Sequence, residues 1–313
     1  MVTVAVGLGA LALALAWPIP LLLSRAAWPA RSPAAALALW QAIAVAGGFS
    51  MIGCLLVFGA SPAGSLLGAW QALVPALFTG PIPPEFGIVH LAAITLAAGL
   101  TAHLALNLAL TAVRAERERR RQHQLVALLG DPMPGQPHTR VLAHPAPLAY
   151  CVPGLRTATV LTDGLIDALS PDELVAVIAH ERAHLDQLHH LVLLAFRAWH
   201  SALPWFPIAN RAERSVILLA EMLADDRARR TAGDDALRGA LLVVGGGGPG
   251  GYGDDTVIAD ADMLAARLDR LGVVPASSSS SATPRPLVLV TSLLLVLAPI
   301  AACTVVLADH PVG

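Results

Sequence analysis

The sequence predicts a mainly α, polytopic membrane protein with four transmembrane helices and a water-facing α+β domain. Two distributions and one local pattern lead to that class. Hydrophobic residues make up 56% of the 313 residues and charged ones 13%, where a soluble domain usually carries about 25% charged residues. Of the 42 Arg, Asp and Glu residues, 38 fall between positions 114 and 286, and all 20 basic residues are Arg. The remainder collects into long charge-free apolar runs. Within the charged block, a well-marked helix start at Ser170 introduces two histidines spaced for one helix face. With a net charge of −2, the chain is neither a polybasic nucleic-acid binder nor an acidic tail protein. Its apolar content excludes a disordered one.

Four runs supply the ~20 apolar residues that a ~30 Å hydrocarbon core requires. They are Val2–Leu23, Ala34–Ala60, Phe86–Val113 and Leu287–Leu307. The first is longer than the ~7–15 residues of a signal-peptide core and lacks a basic stretch before it, so it reads as a membrane helix, ended or kinked by Pro18 and Pro20. Ala63–Thr79 is apolar but carries Gly64, Gly68 and Pro75, and reads as an interfacial or re-entrant segment. His90, His103 and Asn107 lie in the third run. Intramembrane polar groups often mark function, but helix–helix hydrogen bonding is the expected use here. The three cysteines, Cys54, Cys151 and Cys303, form no CxxC, which excludes a disulfide framework and a cysteine zinc site.

Arginines set the orientation. Arg25 and Arg31 lie between the first two runs, Arg114, Arg117, Arg119, Arg120 and Arg121 follow the third, and Arg285 precedes the fourth. The opposite loops hold only Glu85 and Asp309. The positive-inside rule then places both termini outside and the charged block in the cytoplasm, in a multi-pass cell-membrane protein. The expected organisation is a membrane domain over 1–113, a cytoplasmic domain over 114–274, a Ser/Pro linker over 275–286, a fourth span over 287–307 and an external tail over 308–313. The lipid bilayer is the first partner this implies.

The charged block opens with a helix that continues from the third span to Leu129 and stops at Gly130-Asp131-Pro132. Its arginines suit anionic head groups as well as an orientation signal. Leu148–Val152 and Thr157–Thr162 read as short strands, and Leu165–Leu169 as a brief helix. Ser170-Pro171-Asp172-Glu173 is a capping box with Pro at the first helical position, so a helix runs on to about Leu191. His190–Leu203 reads as an apolar helix too short to span, either a core helix, the preferred reading, or one lying against the membrane face, broken at Pro204 and Pro207. Ala209–Ala232 reads as a long helix, Gly245–Gly253 as a glycine-rich loop without the Lys of a phosphate-binding loop, and Asp260–Leu271 as a short helix.

On the capped helix stands His180-Glu181-Arg182-Ala183-His184. Positions i and i+4 share a helix face, so His180 and His184 can hold one Zn²⁺ ion, and Glu181 is placed to act as general base. This is the HExxH pattern. A catalytic zinc takes three protein ligands and keeps one position open. Glu221 and Asp225, again i and i+4, lie on the later long helix. Glu221 is the expected third ligand, and Asp225 the acceptor of a ligand histidine's free ring N–H. Rivals are weaker. His189 and His190 would have to fold back on their own helix, Asp186 and Asp226 point elsewhere, and His200 follows an apolar helix.

At these residues the sequence resembles the membrane-embedded gluzincin metallopeptidases of the MecR/BlaR type, related to the HtpX-type endopeptidases. The matching stretches are Ala158-Thr-Val-Leu-Thr-Asp-Gly-Leu165, Leu169-Ser-Pro-Asp-Glu-Leu174, His180-Glu-Arg-Ala-His-Leu185 and Glu221-Met-Leu-Ala-Asp225. Three spans before this region and one after it also fit the MecR/BlaR arrangement. The resemblance implies a cytoplasmic zincin-like protease domain acting on protein or peptide substrates, a repressor among them. It also suggests that Thr157, Ala158, Thr159, Val160, Leu161 and Thr162 form an edge strand that pairs with extended substrate. Beta-lactam receptors carry a penicillin-binding sensor after the last span, and none is expected before Gly313.

Two other classes compete. A zinc-binding membrane signalling or scaffold protein without turnover would not need Glu181, and structural zinc sites usually close with four protein ligands. An intramembrane protease is disfavoured because Asp172, Glu173, Arg182 and Asp186 around the motif would be costly in lipid.

Overall fold

The computed structural model describes residues 1–136, 138–154, 157–203, 207–247, 254–272 and 285–308. They form two units: one of residues 1–109, 198–212 and 283–313, the other of residues 110–197 and 213–282.

The first unit is helical. Helices α1 (Val2–Ala16) and α2 (Pro18–Arg25) replace the single expected first span, and the chain bends at Trp17 (φ −130°, ψ −72°) where Pro18 begins a new helix. Helix α3 covers Pro33–Gly59 and α4 covers Leu66–Thr79. Helix α5 (Ile88–Leu129) starts in this unit and runs without a break through the arginine-rich stretch. Among the described residues, four helical segments are long and apolar enough to cross a membrane: Val2–Arg25, Pro33–Gly59, Ile88–Leu129 and Pro286–Leu307. The stretch expected as interfacial or re-entrant is α4, apolar but shorter. Ala5, Leu8, Val57 and Val306 pack α1, α3 and the last helix together, with Cys54 and Cys303 as small apolar fillers. His103 Nε2 lies 3.2 Å from the Ala202 carbonyl, and the Ser201 hydroxyl donates to Asn107 Oδ1 at 2.7 Å. Two of the three polar groups of the third span are thus used between helices, whereas His90 Nδ1 is buried without a hydrogen-bond partner. The helix expected as a core element over 190–203 divides, its end grouping with these apolar helices.

The second unit holds a four-stranded sheet in the order β1-β2-β4-β3. Strands β1 (Gly130–Pro132) and β2 (Thr139–Leu142) were not expected from the sequence; β3 is Ala149–Val152 and β4 Ala158–Thr162. β4 runs parallel to β2 and antiparallel to β3. This corrects the expectation that 157–162 is an edge strand. Thr157 precedes β4, whose backbone is paired on both sides, and Thr159, Val160, Leu161 and Thr162 are buried. The apolar run that looked like a substrate edge is the sheet's interior. Among the described residues the outer strands are β1 and β3.

Helix α6 (Asp163–Ala168) is capped by Thr162 and leads to α7 (Pro171–Asp186). The capping box at α7 is formed: Ser170 N donates to Glu173 Oε2 at 2.8 Å, and Glu173 N to Ser170 Oγ at 3.4 Å. Val177 and Ile178 pack on Leu161 and Leu165. Ala176, on another face, packs with Ala228, Leu237 and Leu241. The helix ends at Asp186, short of the expected Leu191, because Leu188 takes a left-handed conformation (φ 52°). Helix α8 (His189–Ala202) comes next, then α9 (Pro207–Ala232), α10 (Asp234–Gly247), α11 (Asp254–Gly272) and α12 (Arg285–Ala308). Helix α10, unpredicted, packs closely on α7; a methyl at Gly239 would collide with the Glu173 carboxylate. The remainder of the glycine-rich stretch (248–253), most of the linker (275–284) and the tail (309–313) lie outside the described residues.

Candidate metal centre

Helix α7 supplies two histidines and α9 a carboxylate to one point. His180 Nε2 and His184 Nε2 are 3.1 Å apart. Glu221 Oε2 is 3.3 Å from His180 Nε2, and Glu221 Oε1 is 3.3 Å from His184 Nε2. The three ligand atoms lie within 4.8 Å of one another, the one such group among the described residues. Zinc holds nitrogen and oxygen ligands at ~2.0–2.1 Å in a tetrahedron, which places neighbouring ligand atoms about 3.3 Å apart. Donor chemistry and spacing therefore fit a metal ion. Local packing explains the convergence. Ala176 and Ala228 are buried in one cluster with Leu237, Leu241 and Leu271, one helical turn from His180 and about two from Glu221. That shared core holds the two helices in register at the site.

Asp225 lies beside His180, with Oδ1 3.0 Å from Nδ1. The contact is close but bent, and Nδ1 has no well-aligned acceptor. Asp225 itself is 2% exposed. It is held by a residue that no sequence motif flags: Arg267 of α11 donates from Nε to Oδ2 at 2.8 Å and from Nη2 to Oδ1 at 2.7 Å. Its Nη1 lies 3.0 Å from Glu221 Oε2. Three residues on, Arg270 donates to Asp226 at 2.8 Å and to the Met222 carbonyl at 3.1 Å. A signal for Arg267 existed. It falls within the apolar stripe Leu264, Leu268 and Leu271, which packs inward, and a charge inside such a stripe requires a buried partner.

Electrostatics arise from these contacts. Burial works against ionisation of Glu221, but His180, His184 and Arg267 outweigh it and hold its carboxyl well below the usual range. Asp225 is lowered in the same way, with burial opposed chiefly by Arg267 and then His180. Burial disfavours a charged His180, yet Asp225 and Glu221 raise its pKa from 6.5 to about 10. A histidine raised by folding contributes stability that is complete below its unfolded pKa and is lost as pH rises through its folded one. A metal must displace that proton. Apparent zinc affinity should therefore rise by about tenfold per pH unit between pH 7 and 9. Chelator competition across that window checks this, and a flat profile would contradict a proton on His180.

Glu181 is half-buried, close enough to Cys151 of β3 for its charge to act on the thiol. Burial, then the charge of Glu181, pushes that thiol up to about 12, so Cys151 stays protonated and is no competing ligand. The rivals fall elsewhere. Asp186 ends α7 and is exposed. Asp226 pairs with Arg270. His190 Nδ1 is buried without a partner, and His200 belongs to the other unit. His189 does fold back, but onto the Nδ1 side of His184. Burial, then His184, lowers its pKa to about 4.

Residues 112–224 match the family model described as Peptidase family M48. The matched segment runs from α5 through the sheet and α7 to α9, and contains His180, Glu181, His184 and Glu221. It supports a metallopeptidase of that family. Asp225 and Arg267 lie past its end. No curated protein and no solved structure matches the chain.

Proposed function

We propose that this protein is a membrane-anchored, zinc-dependent endopeptidase that hydrolyses peptide bonds of cytoplasmic or membrane-associated proteins. The observation that carries this reading is the convergence of His180, His184 and Glu221, with Glu181 on the adjoining turn, inside the segment that matches peptidase family M48. The four apolar helices support anchoring in the cell membrane. The arginine distribution supports a cytoplasmic catalytic unit with both termini outside. The MecR/BlaR-like order of segments favours regulatory proteolysis, with a repressor as the substrate class.

His180, His184 and Glu221 would hold the zinc ion. Zinc supplies Lewis acidity, which polarises the scissile carbonyl and acidifies a water molecule. Glu181 accepts the proton of the attacking water and passes it to the leaving amine. Asp225, 3.0 Å from Nδ1, favours His180 as a neutral ligand with its proton on that nitrogen. An extended substrate needs unpaired backbone groups to bind. β3 is an outer strand that carries Cys151 next to Glu181, so β3 takes the substrate-pairing role that β4 cannot.

The test compares new protein amino termini in cells expressing wild type or Glu221→Ala, together with the zinc content of both purified proteins. Wild type should bind one zinc per chain and generate termini that the variant lacks, and the variant should lose zinc. Full zinc affinity in Glu221→Ala would remove Glu221 from the ligand set. Identical termini with wild type loaded would favour the scaffold reading.

A further inference from the structure

We propose that His189 is the positioning residue of the metal ligand His184: its ring accepts the Nδ1–H of His184 and thereby presents that residue's Nε2 to the metal. The assignment rests on the reading of His180, His184 and Glu221 as metal ligands and adds a residue to that centre.

The two Nδ1 atoms are 2.9 Å apart, and the rings meet edge-on with centroids 4.9 Å apart at 81°. A histidine that ligates through Nε2 carries its proton on Nδ1, so His184 donates and His189 Nδ1 must be the bare nitrogen. The proton of His189 is then on Nε2, where Gln187 Oε1 lies 3.1 Å away to accept it. Each donor has one acceptor, and the tautomers are set outward from the metal. His189 is 1% exposed, so its ring is fixed with both nitrogens used.

The backbone is arranged for this contact. In a continuous α7, five residues of 100° each would carry His189 about 140° around the helix from His184. Leu188 prevents that. It is the one residue other than glycine with positive φ among those described, at 52°, a conformation that side chains disfavour. The turn brings His189 back against the ring it would otherwise face away from. The two ligand histidines thus differ. His180 leans on a carboxylate, which adds negative charge to a site already containing Glu221. His184 leans on an imidazole, which orients it and adds none.

The test uses the full-length protein in nanodiscs, with zinc affinity from competition against a chromophoric chelator and the ligand-field spectrum of the cobalt(II) form. His189→Phe fills the volume but offers no acceptor; it should weaken zinc binding by about 10–100-fold and alter the cobalt spectrum. His189→Gln keeps an accepting oxygen and should recover most of the affinity. Gln187→Ala changes only an exposed residue and should cost about two- to tenfold; it decides the matter should His189→Phe not fold. Wild-type affinity and spectrum in His189→Phe, or equal losses in the Phe and Gln variants, would overturn the proposal. Failure of the underlying ligand assignment looks different: wild type would take up no zinc, or His184→Ala would retain it.

Discussion

Glu181→Gln should bind zinc as wild type does and cleave its substrates about 10²–10⁴-fold more slowly. Glu181 is absent from the converging ligand atoms, so the amide removes the proton acceptor and leaves the metal ligands in place. It also keeps the side chain's size and shape, so the local packing changes little. The measurement is the pair of zinc content and new amino termini in cells. Termini that disappear while zinc remains would separate turnover from metal binding. An unchanged set of termini with zinc bound would exclude Glu181 as the base.

Arg267→Met should be the most damaging single change outside the ligands. The substitution keeps much of the volume and removes the cation that faces both Glu221 and Asp225. Asp225 is 2% exposed and the Arg267 side chain 14%. Removing one partner of such a buried pair typically costs about 3–5 kcal/mol, because the other charge is left uncompensated. Two carboxylates one turn apart would then repel each other across α9, and zinc affinity should fall with stability. Arg267→Lys restores charge without the two-pronged geometry and should lie between. Thermal unfolding of the full chain with zinc titration reads both effects. A Met variant as stable as wild type would show that the ion pair contributes little.

What the sequence revealed depended on how local the physics was. The apolar runs come from length and hydropathy, and α7 from its capping box. The fit of His180, His184, Glu221 and Asp225 comes from two i, i+4 spacings, which any helix enforces. The sheet order was not legible. β4 is as apolar as its position inside the sheet requires, but an edge strand with one buried face reads much the same, and only the pairing partners distinguish them. β1 and β2 are three and four residues long, too short for alternation to register. The stop of α7 after Asp186 was missed because Leu188 carries no turn chemistry. Its left-handed backbone is imposed by the junction between α7 and α8, not by the residue itself. Arg267 was missed because 42 residues separate it from Asp225.

That separation bears on the order in which the protein is made. By the time residue 247 has been synthesised, the chain contains every group assigned to metal binding and proton transfer. It does not yet contain the cation that allows Glu221 and Asp225 to be buried side by side. Until α11 emerges and docks, the second acidic turn of α9 has reason to stay hydrated rather than close against His180. The nascent protein therefore carries its motif early and completes its centre late.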